Sequence, residues 1–139
     1  MAEGWRTFDH TGDLGLEVWA ATPEGLYARA AEAVAAQIAE PSPGEAEVRR
    51  DLTLEADDPV DLLVHWLNAA LLEGELQHAV WTRAHIHALE PTRLSATLEG
   101  QRLDPKRQVF LREIKAVSHH FLELDLEQRP CRCRLVLDL

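Results

Sequence analysis

The spacing of apolar residues changes several times along the chain, and each change marks an element. Leu14, Leu16 and Val18 alternate with Gly15 and Glu17, a period of two that predicts a strand over residues 14–20. A partner strand is expected over residues 6–9, with the polar His10-Thr11-Gly12-Asp13 between them as a turn or bulge. Thr22 then stands before Pro23, an N-cap followed by a proline at the first helical position. Leu26, Ala30, Ala33 and Val34 keep helical spacing, which predicts a helix to about Ala39, ended by Pro41-Ser42-Pro43-Gly44. Val48, Leu52 and Leu54 return to near-alternation and predict a further strand.

The second helix carries the strongest signal. Asp58 is a good N-cap, Pro59 follows it, and Asp61 adds negative charge in the first turn, where the helix dipole favours it. Leu62, Leu63, Trp66, Leu67 and Ala70 form one apolar face, and Gly74 is expected to close the helix. Four more strands are predicted over residues 79–88, 93–99, 112–124 and 131–137, with Pro91-Thr92 and Gln128-Arg129-Pro130 as turns. Segregated strands with two helices imply an α+β fold: a mostly antiparallel β-sheet with both helices packed on one face.

Composition narrows the class. The 139 residues are 46% hydrophobic, enough to bury a core as one domain over residues 1–139. No apolar run approaches a membrane span, and Met1-Ala2-Glu3-Gly4 lacks the basic and apolar regions of a signal peptide, so a soluble cytoplasmic protein is expected. Acids outnumber bases 24 to 14, for a net charge of −10, and no basic run exceeds Arg49-Arg50 or Lys106-Arg107. Tight, direct nucleic-acid binding needs clustered Lys and Arg, so a protein partner, a metal ion or a cationic ligand fits better. Cys131 and Cys133 lie two apart on one strand face. They lack the further ligands of a closed zinc site and read as buried apolar residues.

Candidate chemistry concentrates at the two ends of the sequence. On the last strand Cys131, Cys133, Leu135 and Leu137 point one way, and Arg132, Arg134, Val136 and Asp138 the other. Asp138 is therefore off the core face and stands next to the terminal carboxylate of Leu139. Neighbouring anions repel, and a divalent cation relieves that repulsion. Asp13, Asp138 and Leu139 with main-chain or water oxygens make a candidate calcium or magnesium site, set against the plainer reading of solvated chain-end charges. In Glu113-Ile114-Lys115-Ala116-Val117-Ser118-His119-His120, alternation would put Lys115, Val117 and His119 on one face. Lys115 there reads either as an anion or acid partner or as a surface lysine with its stem on the sheet. His85 and His87 share a strand face and His119 and His120 are adjacent, but no helical two-histidine zinc motif occurs, and histidines satisfied by local hydrogen bonds are expected. The sequence has no glycine-rich phosphate loop, nucleophile elbow or Cys–His pair in a recognisable setting, so it is not expected to be an enzyme. A metal-dependent hydrolase or nucleotide-processing enzyme using the same acids is the alternative; it would have to turn over substrate alone. A chaperone-like modulator of nucleic-acid-modifying enzymes is a third reading.

Several segments in order give the chain a resemblance to the archease family. They are His10-Thr11-Gly12-Asp13 (the family reads His-Thr-Ala-Asp), the 58–72 helix with its Leu-Leu-Val-x-Trp-Leu core, Gly100, the 113–120 segment (the family reads Lys-Ala-Val-Thr-Tyr-His) and Leu137-Asp138-Leu139. The resemblance implies an archease-like fold and a non-enzymatic activator of an RtcB-type RNA ligase in tRNA splicing or RNA repair. Such an activator promotes guanylylation and repeated turnover of the ligase and broadens its nucleotide use. It also implies a metal, calcium, held by Asp13, Asp138 and a main-chain or terminal oxygen of Leu139, with His10, Lys115 and His120 as further functional positions. The chain departs from the family pattern at Gly12, at His119 in place of Tyr, at Gln101 in place of an acid, and at Gln108 in place of a histidine.

Overall fold

A computed structural model describes residues 3–139. The elements are β1 (Gly4–His10), β2 (Asp13–Ala20), α1 (Pro23–Ala36), β3 (Ala39–Glu40), β4 (Val48–Glu55), α2 (Pro59–Gln77), β5 (Ala79–Glu90), β6 (Arg93–Arg102), β7 (Val109–Phe110), β8 (Ala116–Val117), β9 (Glu123–Asp125) and β10 (Cys131–Asp138). Every strand pair is antiparallel. The expected α+β class holds, with the strands divided among sheets. One sheet runs β1-β2-β10-β8 with β9 also on β10, a second runs β4-β6-β5, and β3 pairs with β7.

Both helices start where the sequence predicts. The Thr22 hydroxyl accepts from the Gly25 N–H at 3.0 Å, and the Asp58 carboxylate accepts from Asp61 N–H at 2.9 Å. Their ends differ from expectation. α1 stops at Ala36, because Ala39 and Glu40 are taken up by the ladder to Phe110 and Val109. α2 runs through Gly74 to Gln77 and is closed by His78 in the left-handed region, φ 50°. Gly74 serves packing instead: a Cβ there would sit 3.1 Å from the Ala79 carbonyl oxygen and 3.2 Å from Trp81 Nε1. The predicted strand over residues 112–124 is a third correction. Only 116–117 and 123–125 are strand, Ile114 and Val117 are both buried, and Lys115 is exposed, so Val117 does not share the face of Lys115.

One apolar cluster joins the helices and both larger sheets. It includes Leu16 and Val18 of β2, Leu26 and Val34 of α1, Trp66 and Leu67 of α2, Leu98 of β6 and Leu135 and Leu137 of β10. Indole and phenol groups satisfy main-chain acceptors within it. Trp66 Nε1 donates to the Tyr27 carbonyl at 2.9 Å, and the Tyr27 hydroxyl donates to the Pro59 carbonyl at 2.6 Å, so the helices are bonded to each other in both directions. Among the described residues no helix is long and apolar enough to cross a membrane.

Candidate functional site

The register of one sheet assembles the site. β1 and β2 pair His10 with Asp13 across the Thr11-Gly12 turn, where Gly12 takes φ +73°, a region glycine enters freely. β10 pairs Leu137 with Leu14 of β2, and Asp138 with Ala116 of β8. One step beyond the Leu137–Leu14 pair, Asp138 comes level with Asp13. Cross-strand neighbours share a face, so His10, Asp13, Asp138 and Ala116 form a row across four strands, opposite the buried Leu137. Asp13 and Asp138 are half-buried, and among the described residues neither enters a salt bridge.

Around this row the structure gathers most of the residues singled out from the sequence. Lys115 donates its main-chain N–H to the Asp138 carbonyl at 2.8 Å and leaves its side chain exposed. His120 donates its main-chain N–H to Ser118 Oγ at 3.0 Å. Phe121, not foreseen from the sequence, links the two histidines: its ring lies 5.0 Å from His10 and 6.4 Å from His120. It is 72% exposed and holds φ 59°, a conformation that is costly for a residue with a Cβ. His10 Nδ1 is buried without a hydrogen-bond partner. Four histidines meet the expectation of local hydrogen bonds: His65 meets the Glu55 carbonyl at 3.1 Å, His85 meets Glu99 at 2.6 Å, His87 meets Thr97 at 2.6 Å, and His119 meets Asp61 at 3.2 Å.

The next rows of the same face change in character. Phe8 lies over Gly15, where any Cβ would strike its ring, and the Arg134 guanidinium stacks 4.3 Å above that ring. Beside them Glu17, 8% exposed, forms ion pairs with Arg6 at 3.2 Å, Arg134 at 3.4 Å and Arg132 at 3.6 Å. One sheet face thus runs from carboxylates at one end to guanidinium groups at the other.

Two further features touch the row from behind. An apolar groove of about 770 Å³ lies between α1, α2 and the 110–115 segment, with Lys115 on its edge. Asn68 of α2 bonds both main-chain groups of Val117: its Oδ1 accepts from the N–H at 2.8 Å and its Nδ2 donates to the carbonyl at 3.1 Å. Asn68 was missed in the sequence, although an amide beside the apolar face of a helix is itself a signal.

Among the described residues no group of three or more His, Cys, Asp or Glu side chains is gathered to hold a metal. The row supplies two carboxylates, and a third donor has to be a main-chain oxygen, for which Leu139 is next in line. Such an all-oxygen set suits a hard cation of the calcium or magnesium type and does not suit zinc.

Residues 5–139 match the archease protein family. Protein archease of Methanopyrus kandleri is 30% identical over 138 residues, covering 97% of this chain and 99% of the relative. Protein archease of Methanosarcina mazei is 26% identical over 135 residues, covering 94% and 92%. The solution structure of protein 1598 of Methanobacterium thermoautotrophicum superposes with a TM-score of 0.79 at 25% identity, over 98% of this chain and 99% of that one. Sequence and fold agree over nearly the whole chain, and the chain belongs to the archease family.

Proposed function

We propose that the chain is a non-enzymatic activator of an RtcB-type RNA ligase, acting in the cytoplasm in tRNA splicing or RNA repair. It promotes guanylylation and repeated turnover of the ligase and broadens the nucleotides the ligase accepts. The observation that carries this reading is the register that brings Asp13 of β2 level with Asp138 of β10, beside Lys115. Asp13, Asp138 and a main-chain or terminal oxygen of Leu139 would hold a hard divalent cation, and among those the family resemblance favours calcium. A bound cation would supply positive charge for nucleotide phosphates or for the partner's own acidic ligands. Lys115 adds a second cationic group next to Asp138, and His10, within the row, is joined to His120 through the Phe121 ring. The net charge of −10 favours docking on a basic protein surface and disfavours tight, direct binding to RNA.

Single-turnover guanylylation of the cognate ligase tests this, with no addition, with the chain, and with Asp138→Ala or Asp13→Ala/Asp138→Ala. Stimulation by the wild-type chain that falls at least tenfold in the variants, with their circular dichroism unchanged, is the expected result. Equal stimulation by the folded double variant would remove the acidic row from the mechanism. An active ligase indifferent to the wild-type chain would remove the proposal itself.

A further inference from the structure

β8 has two strand residues, yet it is the element that borders Asp138. On one side Lys115 N–H donates to the Asp138 carbonyl at 2.8 Å and Ser118 N–H donates to the Val136 carbonyl at 3.0 Å. On the other side no strand is paired with it. There the carboxamide of Asn68 takes both the N–H and the carbonyl of Val117, at 2.8 and 3.1 Å. A carboxamide can present an N–H donor and a carbonyl acceptor side by side, so Asn68 does for this edge what a neighbouring strand would do. Val117 is 3% exposed, which leaves these two groups little access to water if the carboxamide is withdrawn. The segment before β8 has no regular structure from Leu111 to Lys115; Leu111 and Arg112 are tied to Ile38 and Gln37, and on the side of β8 away from β10 the Asn68 carboxamide is the group bonded to the backbone of Val117.

We propose that Asn68 is a positioning residue for the acidic row. Through Val117 it holds β8 against β10, and it thereby fixes the main-chain and carboxylate oxygens of Asp138 relative to Asp13. This rests on the reading of that row as a cation site. Its physical basis is that a binding site assembled from separate strands binds tightly only when its donors are held in place before the ion arrives, and loss of such support typically lowers metal affinity about 10- to 100-fold. The ligands themselves are untouched by the change.

The test is calorimetric titration of calcium into the full chain and its variants, with hydrogen exchange at Lys115 and Ser118 as a second readout. Asn68→Ala is expected to weaken calcium binding at least tenfold and to speed exchange at both amides. The control is Asp58→Ala, which removes the α2 N-cap and destabilises the same helix without touching Val117. It is expected to keep wild-type affinity and slow exchange at temperatures where it is folded. If Asn68→Ala does not fold, Asn68→Asp serves: it keeps an acceptor for Val117 N–H, loses the donor, and adds a negative charge. Simple electrostatics would make that variant bind calcium more tightly, whereas positioning predicts weaker binding. Calcium affinity equal to wild type in the Asn68 variant overturns the inference and leaves the site reading intact. No calcium binding by the wild-type chain overturns both.

Discussion

Glu17 shows how an acidic chain can carry a local excess of cationic groups. Its carboxylate is nearly buried on a sheet face, and three guanidinium groups whose own side chains are 45–68% exposed converge on it. With cations that open to water, each contact contributes little alone; the arrangement acts as a network that orients Arg6, Arg132 and Arg134. A second local substitution concerns Gln101 and Gln108, which replace an acid and a histidine of the family pattern. They touch at 3.5 Å, Gln101 is bonded to Ser42 N–H at 3.0 Å and to the Ser42 carbonyl at 2.6 Å, and Gln108 Oε1 accepts from Asp104 N–H at 2.6 Å. Both are buried, and a pair of neutral amides satisfies the same space without a buried charge. Opposite Val18, burial pushes the Cys133 thiol up to about 12, with Glu17 adding to the rise. Tyr27, buried beside it in the core, is raised in the same direction, by burial first. The sign follows from linkage. Between the unfolded thiol value of roughly 8.5 and the folded one, the unfolded chain gives up a proton that the folded chain keeps, so stability falls as pH rises. Urea unfolding from pH 8 to 10 is expected to show a decline that Cys133→Ala flattens by up to about 1.4 kcal/mol per pH unit.

At the scale of elements, close backbone approach decides several positions. Gly100 of β6 pairs with both Val48 and Trp81, and a Cβ there would clash with the Val80 carbonyl oxygen, a main-chain atom that cannot swing aside. Gly100→Ala is therefore expected to cost about 3 kcal/mol, read from the urea midpoint, at the upper end of ordinary overpacking. The helix starts were legible because capping is local: Thr22-Pro23 and Asp58-Pro59 bring their own hydrogen-bond acceptors. The helix ends were not, because tertiary contacts set them. Gly74 looks like a terminator, yet it is the gap through which Trp81 reaches the Ala70 carbonyl at 2.9 Å, and the left-handed turn falls at His78. In residues 112–124 apolar residues recur without a partner strand for most of the stretch. Leu111 N–H goes to the Ile38 carbonyl at 2.8 Å and Val117 to the Asn68 side chain, so alternation there did not report a strand.

Across the whole molecule, the candidate site was half legible. Asp13 and Asp138 stand out as acids at the edges of alternating strands, but only the register of β2 with β10 says that they are neighbours. Phe121 and Asn68 were not found, because their roles depend on elements far away in sequence: β1 for one, β8 for the other. The core is similarly non-local, with β2, both helices and β10 meeting in one cluster. That central place of β10 has a consequence for how the protein is made. β2 leaves the ribosome early, and its neighbour on one side is not synthesised until everything from Ala20 to Cys131 has been translated, on the order of ten seconds at typical rates. During that interval β2 has only β1 beside it in the sheet, and although α1 follows at once to pack on its face, its other edge waits without a partner. Ribosome-bound chains arrested before Cys131 are expected to be cut by protease within β2 and α1, while chains arrested with residue 139 well outside the exit tunnel resist. Equal resistance in both would show that β1, α1 and α2 protect the strand unaided. The row that sets Asp138 level with Asp13 therefore cannot form until β10 is in place, and until then the second edge of β2 is open to pairing with other chains.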